Sequence, residues 1–234
     1  MTDLHPSRRV VVIGTGLMGT SLGLALHRDQ ARVWLEDRDA AHLRVAVSLA
    51  AGTPYDPKDV PADQVDLVVV GVPPRALGAV IADALRRFPT AVVTDLGSVK
   101  EPVAREVRER VPEHADRYVG GHPMAGSERS GPLAARADLF EGRAWAITPH
   151  AGSASEAVSA VEELAKICGA FGVLLTPAEH DQAVAIVSHV PQVASSVVAG
   201  LLTEADEDHL VLAGQGLRDV TRIAAGDPAL WAQI

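Results

Sequence analysis

The chain is poor in cysteine, and this limits the kinds of site it can build. A single cysteine, Cys168, excludes an internal disulfide framework and any metal site that needs several thiolates. The nine histidines include no His-x-x-x-His pair, the spacing that places two imidazoles on one face of a helix. The sequence therefore predicts no metal site.

Basic charge and long apolar runs are scarce as well. Lysine and arginine together number 21 against 30 acidic residues, which gives a formal net charge of -9. The basic residues are scattered instead of forming a stripe, so we expect no nucleic-acid partner. No apolar run reaches the roughly 18 residues of a membrane span, and residues 1–9 lack the layout of a signal peptide. We therefore expect a cytoplasmic protein that does not enter a membrane.

Strand-like and helix-like segments alternate over the first three quarters of the chain. The β-branched run at residues 9–13 ends at a glycine-rich turn, and helical apolar spacing follows at residues 17–28. This alternation predicts an α/β fold that is Rossmann-like, with a doubly wound and mainly parallel sheet. We predict further strands at 32–36, 65–72, 90–95, 117–120, 143–148 and 173–176, and further helices at 40–50, 74–87, 99–111 and 153–171.

The pattern changes after Thr176, where strand-like alternation ends and an all-helical segment begins. Pro191 interrupts this segment, and we expect it to kink the helix because proline lacks an N–H and its ring crowds the preceding turn. The segment is small and apolar, so it is expected to pack on the sheet domain and on a second copy of the chain. The predicted division is a domain at residues 1–176 and a helical segment for substrate binding and dimerisation at residues 177–234.

A glycine fingerprint lies between the first strand and the first helix. The run Gly14-Thr15-Gly16-Leu17-Met18-Gly19 fits the pattern G-x-G-x-x-G, whose glycines let a pyrophosphate approach backbone N–H groups. Asp37 follows the second strand, where an acid can bind a ribose hydroxyl, although its neighbour Glu36 competes for that role. An acid there repels a 2'-phosphate and favours NAD, with NADP as the alternative. The predicted cofactor-binding residues are Gly14, Gly16, Leu17, Met18, Gly19, Asp37, Arg38, Val72 and Pro73.

A histidine follows a pair of glycines downstream of this half, in the run Gly120-Gly121-His122-Pro123. A histidine there can take a proton while a nicotinamide takes a hydride, and the alternative is a turn whose histidine bonds a backbone carbonyl. Ser98 follows the strand at 90–95, where its hydroxyl can cap the helix at 99–111 and point at His122. Lys100 follows in the first turn of that helix and is expected to be a solvated side chain.

Several motifs in one order resemble the TyrA-type prephenate and arogenate dehydrogenases of tyrosine biosynthesis. They are the fingerprint at Gly14, the run 95–100, the run 121–128 (Gly-His-Pro-Met-Ala-Gly-Ser-Glu), the run 188–192 (Ser-His-Val-Pro-Gln) and the run 216–224. The resemblance implies an NAD-dependent oxidative decarboxylation of prephenate to 4-hydroxyphenylpyruvate. It also implies that members of this family form homodimers through the helical segment.

The resemblance assigns roles to individual residues of this chain. His122 would accept the proton of the substrate hydroxyl, and Ser98 would orient that histidine. Arg222 would bind a substrate carboxylate, since the guanidinium fork matches a carboxylate, although spacing alone does not separate it from Arg218. The other substrate-binding residues by family position are His189, Ser127 and Glu128. His189 could instead bond the carbonyls freed at Pro191.

Three alternative functions remain open at this stage. Arogenate dehydrogenase has the same chemistry with an ammonium group on the substrate side chain. A non-catalytic, truncated NAD-binding paralogue is the second, because family members generally continue for several helices beyond the run 227–231 whereas this chain ends at Ile234. A β-hydroxyacid dehydrogenase or imine reductase is disfavoured, since such families usually carry a lysine on the helical segment and no lysine follows Pro177.

Overall fold

A five-stranded parallel sheet forms the first layer of the fold. The computed structural model describes residues 8–127, 129–226 and 231. The strands are β1 (Arg9–Ile13), β2 (Arg32–Glu36), β3 (Thr53–Pro54), β4 (Leu67–Val70) and β5 (Val92–Asp95), and the helices between them are α1 (Leu17–Arg28), α2 (Ala40–Ser48), α3 (Pro74–Arg87) and α4 (Glu101–Arg110). Their order in the sheet is β3-β2-β1-β4-β5. The order in which strands are added to the sheet reverses between β1 and β4, and such a point opens a crevice at the carboxyl ends of these strands. The predicted Rossmann-like class is confirmed.

Both faces of this sheet are covered because alternate residues of β1 enter different cores. Val10 and Val12 pack with Leu22 and Leu26 of α1. Val11 packs on the opposite face with residues of α3 and α4. A strand that is buried on both sides needs a continuous β-branched run, and this is what the sequence contains.

A second sheet of three strands extends the first. It consists of β6 (Gly120–Pro123), β7 (Ala144–Thr148) and β8 (Phe171–Leu174), and α5 (Ser155–Ile167) connects the last two. β6 runs antiparallel to β7, and β7 runs parallel to β8. The chain enters β6 along β5, through a bridge between Val93 and Tyr118. The prediction of a strand at 117–120 is wrong by three residues, so His122 lies within a strand.

The last part of the chain is helical, as predicted. It contains α6 (Pro177–Val184), a π-helical turn at Ala185–His189, α7 (Val190–Leu201), α8 (Glu207–Leu210) and α9 (Gln215–Thr221). A capping box of Thr176 and Glu179 fixes the start of α6. The π turn immediately before Pro191 interrupts the α-helical hydrogen bonding at the place where the sequence predicted a kink. The Ser195 hydroxyl donates to the Val220 carbonyl at 2.6 Å and joins α7 to α9.

The helical stretch Pro177–Glu204 is continuous over 28 residues, and by length and composition it could cross a membrane. No uninterrupted apolar run in the sequence reveals this property, because it depends on the π turn that keeps the stretch helical past Pro191. Large apolar side chains are exposed along it. They are Ile186, Val187, Val190, Val193, Val197 and Leu201, each at least 60% exposed. We refer to these six residues as the apolar helix face.

Candidate active site

The glycine turn between β1 and α1 has the close packing that its sequence predicts. Gly14 has a φ of 100°, and a side chain there would collide with the carbonyl of Gly71. A side chain on Gly19 would collide with the Gly14 carbonyl. Gly16, the N-cap of α1, faces open space, and no side chain caps the helix there. The first-turn N–H groups of α1 have no carbonyl one turn earlier, so the turn fits a pyrophosphate.

Asp37 is the carboxylate that faces this turn. It accepts hydrogen bonds from the Thr15 N–H at 2.6 Å and the Thr15 hydroxyl at 2.8 Å. Glu36, its competitor in the sequence, is held by two hydrogen bonds from Arg87 at 3.0 and 2.8 Å. Arg38 is exposed beside it. The geometry therefore favours Asp37 over Glu36 as the ribose-facing acid.

The end of β4 continues the same edge of the sheet. The Val72 side chain lies 3.2 Å from the point where a Cβ on Gly14 would stand. Pro73 is exposed at the N-cap position of α3. Gly71 lies between the glycine turn and Leu96, the residue that follows β5, and contacts both. The turns after β1, β4 and β5 thus form one continuous edge.

His122 lies on β6 opposite Ala146, and within the described ranges no backbone carbonyl bonds its imidazole. Its Nδ1 lies 2.8 Å from Nε2 of His180, which belongs to α6 and is almost fully buried. Nδ1 of His180 lies 2.8 Å from Oδ1 of Asp181. Among the residues that the structure describes, Nε2 of His122 has no hydrogen-bond partner. The alternative reading of His122 as a turn residue that bonds a carbonyl is therefore wrong.

Asp181 also caps a helix of the sheet domain. Its Oδ1 accepts the N–H of Lys100 and its Oδ2 the N–H of Glu101, both at 2.9 Å. The helix therefore begins at Glu101, and the prediction that Ser98 caps a helix from residue 99 is wrong. The cap comes from another element, which a local sequence pattern cannot reveal. Ser98 is partly buried in the turn after β5, and no hydrogen bond to His122 is found in the described part of the chain.

Lys100 is 1% exposed, so the prediction of a solvated side chain is wrong. Its Nζ contacts Oδ2 of Asp95 and donates to the Gly121 carbonyl at 2.9 Å. Asp95 also accepts the Tyr118 hydroxyl at 2.9 Å. A Cβ on Gly121 would lie 2.6 Å from the Asp95 carbonyl, and one on Gly120 would collide with the Thr148 hydroxyl. The glycine pair is therefore required for β6 to pass this close to β5 and Lys100.

The surroundings of His122 favour its neutral form. Burial lowers the pKa of His122 well below its ordinary value, and the charges of Lys100, His180 and His189 lower it further. Burial also lowers the pKa of Lys100, although Asp95 opposes the shift. Burial raises the pKa of Asp181, but hydrogen bonds from His180 and from two backbone N–H groups outweigh it, so that the pKa lies below its ordinary value. The row of hydrogen-bonded side chains thus has the neutral imidazole of His122 at one end and the ionised carboxylate of Asp181 at the other.

The predicted substrate-binding residues are less closely grouped. His189 is partly buried and packs edge-to-face on Trp231, with 6.0 Å between ring centroids, and its charge acts on His122. Arg222 begins a short 3-10 turn and is exposed, without a carboxylate partner in the described ranges. Ser127 is exposed and accepts the Arg129 N–H at 3.1 Å. Glu128 lies outside the described residues.

Local sequence patterns do not reveal the hydrogen-bonded residues around His122 and Lys100. They are Asp95, Tyr118, His180 and Asp181, together with the buried state of Lys100. Because His180 is 58 residues from His122 along the chain, no local spacing signals their contact. In the part of the chain that the structure describes, no group of three or more metal-binding side chains is found.

Comparison with known proteins identifies the family. Family models for prephenate dehydrogenase match the chain, the nucleotide-binding domain at residues 22–174 and the dimerization domain at residues 176–234. The chain is 40% identical over 228 residues to a Streptomyces niveus protein named "Probable prephenate dehydrogenase NovF". This match covers 97% of the chain but 62% of the relative, so the chain spans less than two thirds of that protein.

Solved structures agree with this match. The crystal structure of prephenate dehydrogenase from A. aeolicus in complex with hydroxyphenyl propionate and NAD+ has a TM-score of 0.83 and 29% identity, covering 96% of this chain and 80% of that one. Synechocystis arogenate dehydrogenase has a TM-score of 0.77 and 28% identity, covering 96% of this chain and 81% of that one. Because the two family models match residues 22–174 and 176–234 in order, the chain belongs to the prephenate dehydrogenase family.

Proposed function

We propose that the protein is an NAD-dependent prephenate dehydrogenase, which converts prephenate to 4-hydroxyphenylpyruvate with loss of carbon dioxide. The observation that carries this proposal is the imidazole of His122, whose pKa is lowered and whose Nε2 has no partner among the described residues. His122 follows Gly121, which packs against the Asp95 carbonyl at the end of β5. The similar A. aeolicus enzyme was solved with hydroxyphenyl propionate, a phenol like the proposed product, and with NAD+.

His122 is the proposed base of the reaction. A neutral imidazole can accept the proton of a substrate hydroxyl, and burial beside Lys100 keeps His122 neutral near pH 7. Its Nδ1 is engaged by His180, which leaves Nε2 to take the proton. We retain Ser98 as the group that orients His122, because it stands on the turn after β5 two residues before Lys100.

The glycine turn and its flanks are the proposed cofactor site. The N–H groups of the first turn of α1 would hold the pyrophosphate, and Asp37 would bind the ribose. The residues that would hold the cofactor are Gly14, Gly16, Leu17, Met18, Gly19, Asp37, Arg38, Val72 and Pro73. NAD, when bound, supplies the hydride acceptor. A carboxylate at Asp37 repels a 2'-phosphate, which favours NAD over NADP.

We propose that the helical segment completes the substrate pocket. With the boundary proposed at residue 176, His180 and Asp181 belong to the helical segment and His122 belongs to the sheet domain. Arg222 would bind a carboxylate of the substrate, with His189, Ser127 and Glu128 nearby. The exposed position of Arg222 agrees with a group that receives its partner from the substrate. A cytoplasmic homodimer is part of the same proposal, since the matched family domain is a dimerization domain.

Arogenate dehydrogenase is the second candidate, because the Synechocystis arogenate dehydrogenase structure is nearly as similar as the prephenate dehydrogenase. The test is a comparison of initial rates on prephenate and arogenate, each with NAD and with NADP. We expect the highest kcat/KM for prephenate with NAD. A preference for arogenate would select the second candidate, and NAD binding without turnover on either substrate would overturn both.

A further inference from the structure

We propose that Asp181 and His180 are positioning residues that hold His122 in the tautomer with its proton on Nδ1. The inference rests on the proposed function of His122 as the base. It assigns to the first turn of α6 a task in catalysis that goes beyond packing. The three side chains form one row, from Asp181 Oδ1 to His180 Nδ1 and from His180 Nε2 to His122 Nδ1, with both steps at 2.8 Å.

The carboxylate determines the direction of every hydrogen bond in this row. Asp181 accepts two backbone N–H groups of α4, which can only donate, so its oxygens serve as acceptors. Nδ1 of His180 must then carry the proton that it shares with Asp181. In a neutral imidazole the other nitrogen is an acceptor, so Nε2 of His180 accepts from Nδ1–H of His122.

These hydrogen-bond directions determine the protonation of Nε2 of His122, the ring nitrogen without a partner among the described residues. If Nδ1 of His122 carries the proton, Nε2 carries the lone pair that a base needs. When the substrate hydroxyl gives up its proton, this proton moves to Nε2 of His122. His180 stays an acceptor throughout, and no second proton has to move. The other tautomer would present an N–H at this position and could not act as a base.

Burial makes the arrangement strict. His180 is 1% exposed, so water cannot replace either partner without a rearrangement of α6. The Asp181 carboxylate also caps α4, and the two N–H groups at the start of that helix hold the carboxylate in place. A histidine whose ring is fixed at both nitrogens has one orientation and one tautomer.

Direct observation of the tautomer is the first test, and it needs no cofactor. We would label histidine with 15N and record long-range 1H–15N spectra of the whole chain, at a pH where the imidazoles of His122 and His180 are neutral. We expect His122 to show a protonated Nδ1 and an unprotonated Nε2, and Asp181→Asn to reverse the two. A protonated Nε2 in the unsubstituted protein would overturn the inference.

Kinetics with paired substitutions is the second test. An amide at position 181 can donate to His180 Nδ1, which reverses both hydrogen bonds, so we expect Asp181→Asn to lower kcat by roughly 100-fold or more with little change in KM. The matched control is Asp39→Asn, which alters a capping aspartate of α2 whose contacts are to the N–H groups of Ala41 and His42. We expect this control to keep kcat within about twofold.

A double-mutant cycle separates a positioning role from a structural one. In His180→Gln the side-chain oxygen can accept from His122 without help from position 181. If Asp181 acts through His180, the loss caused by Asp181→Asn nearly disappears in the His180→Gln background. If the full loss persists there, Asp181 matters only for the fold and the inference fails. If instead His122→Asn has no effect, the proposed function fails, whereas the spectra still report the tautomer.

Discussion

At the scale of the residue, the neighbours of His122 determine the protonation state and the hydrogen bonding of its imidazole. Its imidazole stands between a buried histidine and the open edge of the sheet, with the cation of Lys100 close by. These surroundings favour the neutral form and leave one nitrogen free. A single side chain can therefore be tested without altering the cofactor site.

We predict that His122→Asn lowers kcat by roughly 100-fold or more, because the proton acceptor is lost. NAD binding should be unchanged, since the glycine turn is untouched. Steady-state rates and isothermal titration with NAD measure the two effects separately. Unchanged turnover would show that His122 is not the base.

The pH dependence follows from the direction of the His122 shift. The base must be neutral, and its folded-state pKa lies well below the unfolded value near 6.5. The acid limb of kcat/KM is therefore expected below pH 6.5, with full activity retained at pH 6.5. For stability the same sign holds: the contribution of neutral His122 is present above its unfolded pKa and is lost as the pH falls towards its folded pKa. An acid limb on which kcat/KM has already fallen by half at pH 7 or above would contradict this assignment.

The sequence predicted the chemistry of this site better than its surroundings. The glycine pair, His122 and Asp37 are recognisable because their neighbours along the chain carry the signal. Lys100 was expected in solvent because a cation at a helix start normally is, and its burial depends on Asp95 and on a carbonyl of another strand. Contacts of this kind are set by the tertiary fold.

At the scale of the element, strand β6 depends on two residues without side chains. The pair Gly120-Gly121 lets the backbone pass between Asp95, Lys100 and the Thr148 hydroxyl. This explains why the strand continues to Pro123, beyond its predicted end at residue 120. Elements with strong periodicity, such as β1, α1 and α3, were predicted with their observed bounds, whereas β6 has no periodicity to read.

We predict that Gly121→Ala destabilises the protein by about 1–3 kcal/mol, as overpacking of a core does. Its added carbon would stand 2.6 Å from the Asp95 carbonyl and would displace His122. Urea denaturation and kcat should both report the change. The matched control is Gly126→Ala, whose added carbon would meet nothing within 4 Å. Equal stability of the two variants would show that β6 is not tightly confined.

At the scale of the whole molecule, the apolar helix face is the most conspicuous surface. Val190, Val193, Val197 and Leu201 recur at helical spacing on α7, and each is at least 60% exposed. A continuous apolar face of this kind marks a binding surface. The match to a dimerization domain supplies its expected partner, a second copy of the chain.

We predict that Val193→Asp together with Val197→Asp converts the proposed dimer to a monomer. Charges on a face that is buried between copies cost several kcal/mol when unpaired, so association should fail. Sedimentation velocity measures the mass in solution without detergent. Leu133→Asp, at a position 82% exposed on a different element, is the control and should leave the dimer intact. A wild-type chain that is monomeric, or that sediments only with lipid vesicles, would contradict the assignment.

One carboxylate, that of Asp181, touches both halves of the chain at once, through the first N–H groups of α4 and through the imidazole row. A swivel of the helical half away from the sheet would uncap α4 and release His122 in the same movement. The hydrogen bonds that would orient the proposed base therefore exist only while α6 stays packed against α4 and β6.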